Sequence, residues 1–196
     1  MIGNDIVDLA QARQDSNWRR KGFLDKIFTP HEQQLIQDAT DPDCLVWLLW
    51  SMKESTYKLA VRRTKNRIFA PAKIACSLNE ITESSAEGIV LYDDSYQTRS
   101  VITAHYIVTV AFATNLSPVY SQVIIPLDTT SYQAHHELLS ERIRQHGSAL
   151  FRTPENKIHI HKDSLGIPVL TIGNSVTVPI SISHHGFYGA YVIGLK

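Results

Sequence analysis

The chain has 196 residues, 43% hydrophobic and 19% charged, which is ordinary for a folded globular protein and excludes disordered, collagen-like and coiled-coil classes. Lys+Arg and Asp+Glu balance at 19 each, giving zero net charge; a general nucleic-acid binder, which needs a basic excess, is disfavoured. No apolar run reaches the ~18 residues of a membrane span, and Cys44 and Cys76 lie too far apart to suggest a disulfide framework or a Cys-based zinc site.

The first segment, from Ile2 to Leu9, is apolar with acids at Asp5 and Asp8 and reads as a short strand leading into a loop or helix. It has no basic n-region, so no signal peptide is expected, and a cytoplasmic protein with reduced cysteines is. Thr29-Pro30-His31-Glu32 carries a helix cap, a proline at the first helical position and a capping box, which predicts a short helix to about Ala39. Asp41-Pro42 repeats the signal. A helix from Pro42 to about Val61 follows, with Leu45, Leu48, Leu49, Met52 and Leu59 in one stripe, widened by Trp47, Trp50 and Tyr57. At 1.5 Å per residue it is roughly 30 Å long. Beyond the basic stretch Arg62–Arg67, β patterns occur at Lys73–Leu78, Gly88–Tyr92, Arg99–Ala104 and Tyr106–Ala113.

Asn115 to Pro118 has loop composition and divides the chain into segments 1–115 and 116–196. The second segment opens with a strand at Gln122–Pro126. A helix from Ser131 to His146 carries His135, Leu138, Leu139, Arg142 and Ile143 at helical spacing, with Gly147 as its stop. Strands follow at Lys157–His161, Pro168–Ile172, Val178–Ser183 and Tyr188–Gly194, with a turn at Asp163–Gly166. Both halves run helix, then strands ending in a strongly apolar one, which suggests an internal duplication.

In an apolar helix the charged residues Lys53, Glu54 and Lys58 need a reason. Glu54 and Lys58 are spaced i, i+4 and share a face. The plain reading is a surface ion pair; the other is a carboxylate that ligates a hard cation and a lysine that meets a phosphate on it. Asp5 and Asp8 could add the carboxylates that Mg²⁺ bound to a diphosphate requires, although Asp5 could equally cap the following turn. Ser183-His184 ends an alternating strand. Neighbours on a strand face opposite ways, and no Gly-x-Ser-x-Gly elbow is present, so a serine hydrolase is disfavoured and phosphate contact is the better reading. His159 and His161 share a strand face but have no third zinc ligand, which leaves a zinc hydrolase weakly founded. The Arg62–Arg67 stretch could meet an anionic substrate or an acidic protein.

Gly3-Asn4-Asp5-Ile6-Val7-Asp8, Phe28-Thr29-Pro30-His31-Glu32 and Trp50-Ser51-Met52-Lys53-Glu54-Ser55-Thr56-Tyr57-Lys58, in this order, resemble the three motifs of the 4′-phosphopantetheinyl transferase superfamily. Asp163 to Leu170 and Ile180-Ser-Ile-Ser-His184 resemble its Gly-Lys-Pro and Ser-His-Ser segments, with Ile167 where two-domain members usually have Lys and His185 in place of the second Ser. The motif order is similar to that of the short holo-carrier-protein synthases, while the length suits a two-lobed member. The resemblance implies an α+β fold of two similar lobes related by a pseudo-twofold, each a long helix on a small, mainly antiparallel sheet. It implies Mg²⁺-dependent transfer of phosphopantetheine from coenzyme A to a serine of an acidic apo carrier protein, with release of 3′,5′-ADP and no nucleic acid or membrane involved. The family pattern makes Asp5 and Glu54 metal ligands, with Asp8 a further one, and Glu54 the base, directly or through a water. Lys58, Lys53, Ser183, His184 and Gly166 would contact coenzyme A. Two lobes in one chain could complete the site in a monomer. The alternative is a coenzyme A or carrier-binding module that has lost turnover.

Overall fold

A computed structural model describes residues 1–195. β1 (Ile2–Asp8) runs directly into α1 (Leu9–Asp15), whose first N–H groups, of Ala10 and Gln11, donate to the Asp8 carboxylate. After the short α2 (Phe23–Ile27), Thr29 opens α3 (Pro30–Asp38) with both bonds of the expected capping box. Asp41 caps α4 (Pro42–Thr64), accepting from the Cys44 N–H. Four strands follow: β2 (Ala75–Ile81), β3 (Ser85–Leu91), β4 (Ser95–Ile102) and β5 (Tyr106–Ala113). The second half repeats the plan with β6 (Tyr120–Pro126), α5 (Tyr132–Phe151), β7 (Ile158–Lys162), β8 (Pro168–Ile172), β9 (Val176–His185) and β10 (Tyr188–Gly194).

The strands form two antiparallel five-stranded sheets, ordered β1-β5-β4-β3-β2 and β6-β10-β9-β8-β7. The orders correspond strand for strand, so the fold is the expected α+β arrangement of two similar lobes. α4 lies on one sheet and α5 on the other, each on the face turned away from the seam. Gly3 lets β1 approach α4, because a Cβ there would strike the Ser55 carbonyl. Leu139 of α5 packs on Gly189 in the same manner.

Alternation along β1 divides its side chains between two tasks. Ile2, Asn4, Ile6 and Asp8 face the seam between the halves, where Ile2 packs with Val192 and Ile6 with Ala190. The Asn4 N–H donates to Ser181 Oγ at 3.0 Å and its side-chain amide to Ser183 Oγ at 2.9 Å. Gly3, Asp5 and Val7 face α4.

Several boundaries differ from the sequence reading. α4 continues past Val61 to Thr64 and ends on Lys65 in the left-handed conformation. α5 passes through Gly147 and ends at Phe151; the glycine is not a stop, and instead lies against Ile158. β4 sits four residues earlier at its start than expected and ends at Ile102, because the Thr103 side chain closes the turn by accepting the Tyr106 N–H.

Candidate active site

The approach of β1 to α4 builds the site. Lys58 Nζ donates to Asp5 Oδ1 at 2.9 Å and to the Asn4 carbonyl at 3.0 Å, and the side chain is 29% exposed. A lysine has three donors, so one remains for a ligand. Lys58 therefore pairs with Asp5, not in the i, i+4 pair with Glu54 suggested by spacing, and Asp5 caps no turn. Glu54 lies one turn before Lys58. Its carboxyl is pushed up to about 7, first by burial and then by the negative charge of Asp5, while Lys58 pulls the other way. Two carboxylates thus share a partly buried space with one ammonium between their charges.

Two expected site residues have other duties. Asp8 is three positions beyond Asp5 on the same strand and faces the seam. Its Oδ1 accepts from Ala10 and Gln11, and its Oδ2 from the Phe187 N–H at 2.9 Å. Gly186 is required there, with φ +55 and no room for a Cβ beside the Asp8 carboxylate. In the structure Asp8 is a lobe-joining cap. Lys53 is fully buried, and its ammonium donates to Glu32 Oε2 at 2.8 Å and to the carbonyls of Pro71 and Ile74. It has no face to offer coenzyme A, because five residues on from Lys53 the helix has turned by about 140° to Lys58.

Two cavities meet at Pro168 and Ile182. One, of about 180 Å³, is lined by Tyr57, Lys58, Arg62, Arg67, Gly166 and Ile167. The other, of about 220 Å³, is lined by Tyr132, His136, His161, Lys162 and His184 among others. Lys58 therefore faces a cleft with walls from both halves. Gly166, at φ +74, forms the turn on the far wall next to the Arg67 guanidinium. His184 faces the second cavity, and burial, followed by the charges of His135, Lys58, His185 and His136, holds its ring below the ordinary histidine value. Ser183 points the opposite way, as strand alternation requires. Its hydroxyl accepts from Asn4 at the seam, outside both cavities. His185 also faces the seam: its Nδ1 accepts the Asp8 N–H at 3.0 Å. Its replacement of the family's serine therefore alters the seam and not the cleft.

The basic stretch is largely engaged within the fold. Arg62 reaches across to the carbonyls of Pro168 and Ile180, Arg63 pairs with Asp93 and Asp94, and Arg67 donates to the Leu165 carbonyl. Burial lowers the Arg62 guanidinium to about 10. Sequence reasoning missed Arg62 and Asn4 as ties between halves, since neither role has a local pattern. It placed His135 on the apolar stripe of its helix, and the structure buries it there against His184. His159 and His161 share β7, and among the described residues no group of three or more His, Cys, Asp or Glu could enclose a metal.

Asp5 and Glu54 fit a hard cation that takes one or two carboxylates and completes its shell with waters and phosphate oxygens. Burial and the charge of Asp5 both disfavour the charged form of Glu54, a penalty that a cation held by the two carboxylates would offset. The family model of the 4′-phosphopantetheinyl transferase superfamily matches residues 1–111, more than half the chain. The chain belongs to this superfamily. The matched span carries β1, α4 and hence Asp5, Glu54 and Lys58. Phosphopantetheinyl transfer, with coenzyme A and a carrier protein as partners, is the activity of the superfamily. No curated protein matches the chain. No helix is long and apolar enough to cross a membrane among the described residues.

Proposed function

We propose that this phosphopantetheinyl transferase is of the holo-carrier-protein synthase type, moving 4′-phosphopantetheine from coenzyme A to a serine of an acidic apo carrier protein at a site between lobes 1–115 and 116–196. The observation that carries the reading is the grouping of Asp5 and Glu54 about Lys58, which itself lines a cleft walled by both halves. In the reaction the serine oxygen forms a bond to the β-phosphorus of coenzyme A. The bond from that phosphorus to the oxygen bridging to the α-phosphate breaks, and 3′,5′-ADP departs with the electron pair. The serine proton goes to Glu54, whose carboxyl lies near neutrality in range, as an effective base requires. Lys58, anchored by Asp5 and the Asn4 carbonyl, places its remaining N–H against the pyrophosphate where charge develops. Mg²⁺, when held by Asp5 and Glu54, would supply neutralisation of the pyrophosphate charge.

Gly166 and His184 line the cleft where the rest of coenzyme A would extend. Arg62 and Arg67 border the place where Ile167 stands instead of the lysine common in two-domain members, so positive charge is supplied from the opposite wall. An acidic carrier is supported by the exposed Arg13, Arg20, Lys21 and Lys26 on and between α1 and α2. A monomer would suffice, as both walls come from one chain, and the reaction suits the cytoplasm. The test is incubation with coenzyme A, Mg²⁺ and a panel of apo carriers, read by mass. Addition of phosphopantetheine to a carrier serine is the expected result. Coenzyme A binding with no transfer to any carrier would favour a binding module that has lost turnover.

A further inference from the structure

We propose that His135 is a positioning residue that fixes the proton arrangement of His184 and makes His184 a charged donor to a phosphate of coenzyme A. This rests on the function proposed above and deepens it. His135 is buried on α5, and its Nε2 lies within hydrogen-bond reach of the Thr129 carbonyl. A carbonyl only accepts, so the proton sits on His135 Nε2. The Nδ1 of neutral His135 then presents a lone pair. It faces His184 Nδ1 at 3.1 Å, with the ring centroids 5.0 Å apart at 75°. Two nitrogens at that distance need one proton between them, and it belongs to His184.

The consequence lies at the other nitrogen. Neutral His184 with its proton on Nδ1 has only a lone pair at Nε2, and no other group hydrogen-bonds to its ring among the described residues. A phosphate oxygen would be repelled there. When Nε2 takes a second proton, the ring becomes an imidazolium with both N–H groups used, one towards His135 and one towards the phosphate. A hydrogen bond to the charged form favours it, so neutral His135, accepting at Nδ1, stabilises the state that grips the anion, whereas a charged His135 would oppose it. The empty pocket opposes that state. Burial and the charges of Lys58 from α4, His136 from α5 and His185 on β9 itself disfavour it, and His161 and Lys162 from β7 line the same cavity, with Tyr132 edge-on at 5.4 Å. Binding of the phosphate therefore brings one proton with it.

The experiment uses the full chain labelled with ¹⁵N-histidine. In the free protein His184 is expected as the neutral Nδ1–H tautomer and His135 as Nε2–H. On titration with coenzyme A, His184 should become imidazolium, with proton uptake measurable by calorimetry in buffers of different ionisation enthalpy. His135→Asn keeps an acceptor in the place of Nδ1 and should preserve both results. His135→Gln keeps the tie to Thr129 but loses that acceptor; His184 should revert to Nε2–H, proton uptake should vanish, and coenzyme A should bind about tenfold more weakly. A purely structural role would not separate Asn from Gln in this way. His184 as Nε2–H in the free wild-type chain overturns the proposal, as does a Gln variant that takes up the proton like wild type. Failure of coenzyme A to bind, with His184 still Nδ1–H, overturns the ligand and the function on which it rests, while the histidine spectra still report the pair.

Discussion

Helix α4 carries two lysine–carboxylate pairs within six residues, and they have opposite characters. At Lys53 every polar atom is enclosed and answered. Glu32 Oε2 accepts from Lys53 and from the Thr29 N–H, Glu32 Oε1 accepts from the Cys76 N–H at 2.7 Å, and Lys53 reaches two further carbonyls. One turn further on, Asp5, Glu54 and Lys58 share a partly open space in which negative charge exceeds positive and one lysine donor is spare. The first cluster joins α3, α4 and the start of the first sheet into one body. The second is left unfinished, which is what a ligand-binding group requires. A satisfied network marks architecture and an unsatisfied one marks chemistry, even within a single motif.

The largest effect should come from breaking the satisfied pair. Glu32→Ala leaves the Lys53 ammonium buried without its counter-charge and removes the side-chain half of the α3 capping box. Removing one member of a buried pair costs about 3–5 kcal/mol, a large part of a typical domain's 5–15 kcal/mol. Chemical denaturation should show that loss, with much soluble protein lost at 37 °C. A variant as stable as wild type would mean that the enclosure of Lys53 contributes nothing to the fold.

Glu54→Gln should do the reverse. The shape is kept and a destabilising charge is removed, so the fold should survive or strengthen while carrier modification falls by a hundredfold or more, about 2.7 kcal/mol in barrier, from loss of the base. Mass-detected transfer and thermal melts on the same preparation read both. Transfer at the wild-type rate would remove Glu54 from the mechanism.

How much of this contrast could be read from the chain alone is itself instructive. The caps at Thr29 and Asp41, the apolar stripe of α4 and the strand patterns are local, and they located most elements. The three motifs single out Asp5, Glu54 and Lys58, whose charges the fold brings within reach of one another. Periodicity also places Lys53 and Lys58 on different faces, but it cannot say which face is inside, because that depends on where α3 and β2 pack. The placement of Asp8 and Ser183 at the seam is hidden for a related reason: strand alternation gives two faces, and only the tertiary arrangement names one as the seam. β4 was set late because its buried positions, Tyr96, Thr98, Ser100 and Ile102, are half polar and carry little hydrophobic signal. The tie made by Arg62 leaves no local pattern because its partners are carbonyls more than a hundred residues away.

The unfinished cluster should also reveal itself in pH dependence. The Glu54 carboxyl sits at about 7 in the fold against an ordinary 4.5, so folding favours its protonated form. That contribution is complete below about pH 4.5 and is lost as pH rises through 7. With allowance for the part of the site open to water, wild type without divalent cation should lose about 2 kcal/mol relative to Glu54→Gln across this range. Added Mg²⁺ should restore it at pH 8 and do little at pH 5. Melting curves of the two proteins in chelator that stay parallel from pH 5 to 8 would contradict the burial of an uncompensated charge at this site.

Lys58→Ala is the smallest change expected and the most discriminating. It removes the spare donor, so the KM for coenzyme A should rise about tenfold, or about 1.4 kcal/mol. It also removes the one positive charge between Asp5 and Glu54. Since Lys58 holds the Glu54 carboxyl down, its loss should move the alkaline decline in metal-free stability to higher pH and deepen the rescue by Mg²⁺. These two effects separate the roles of the lysine. Lys58→Arg should retain the charge and the pairing to Asp5, restoring the stability profile, while its planar fork reaches the phosphate differently and leaves KM raised. If Lys58→Arg restores KM together with the stability profile, Lys58 acts only as the counter-ion of Asp5, and the phosphate is held by some other group in the cleft.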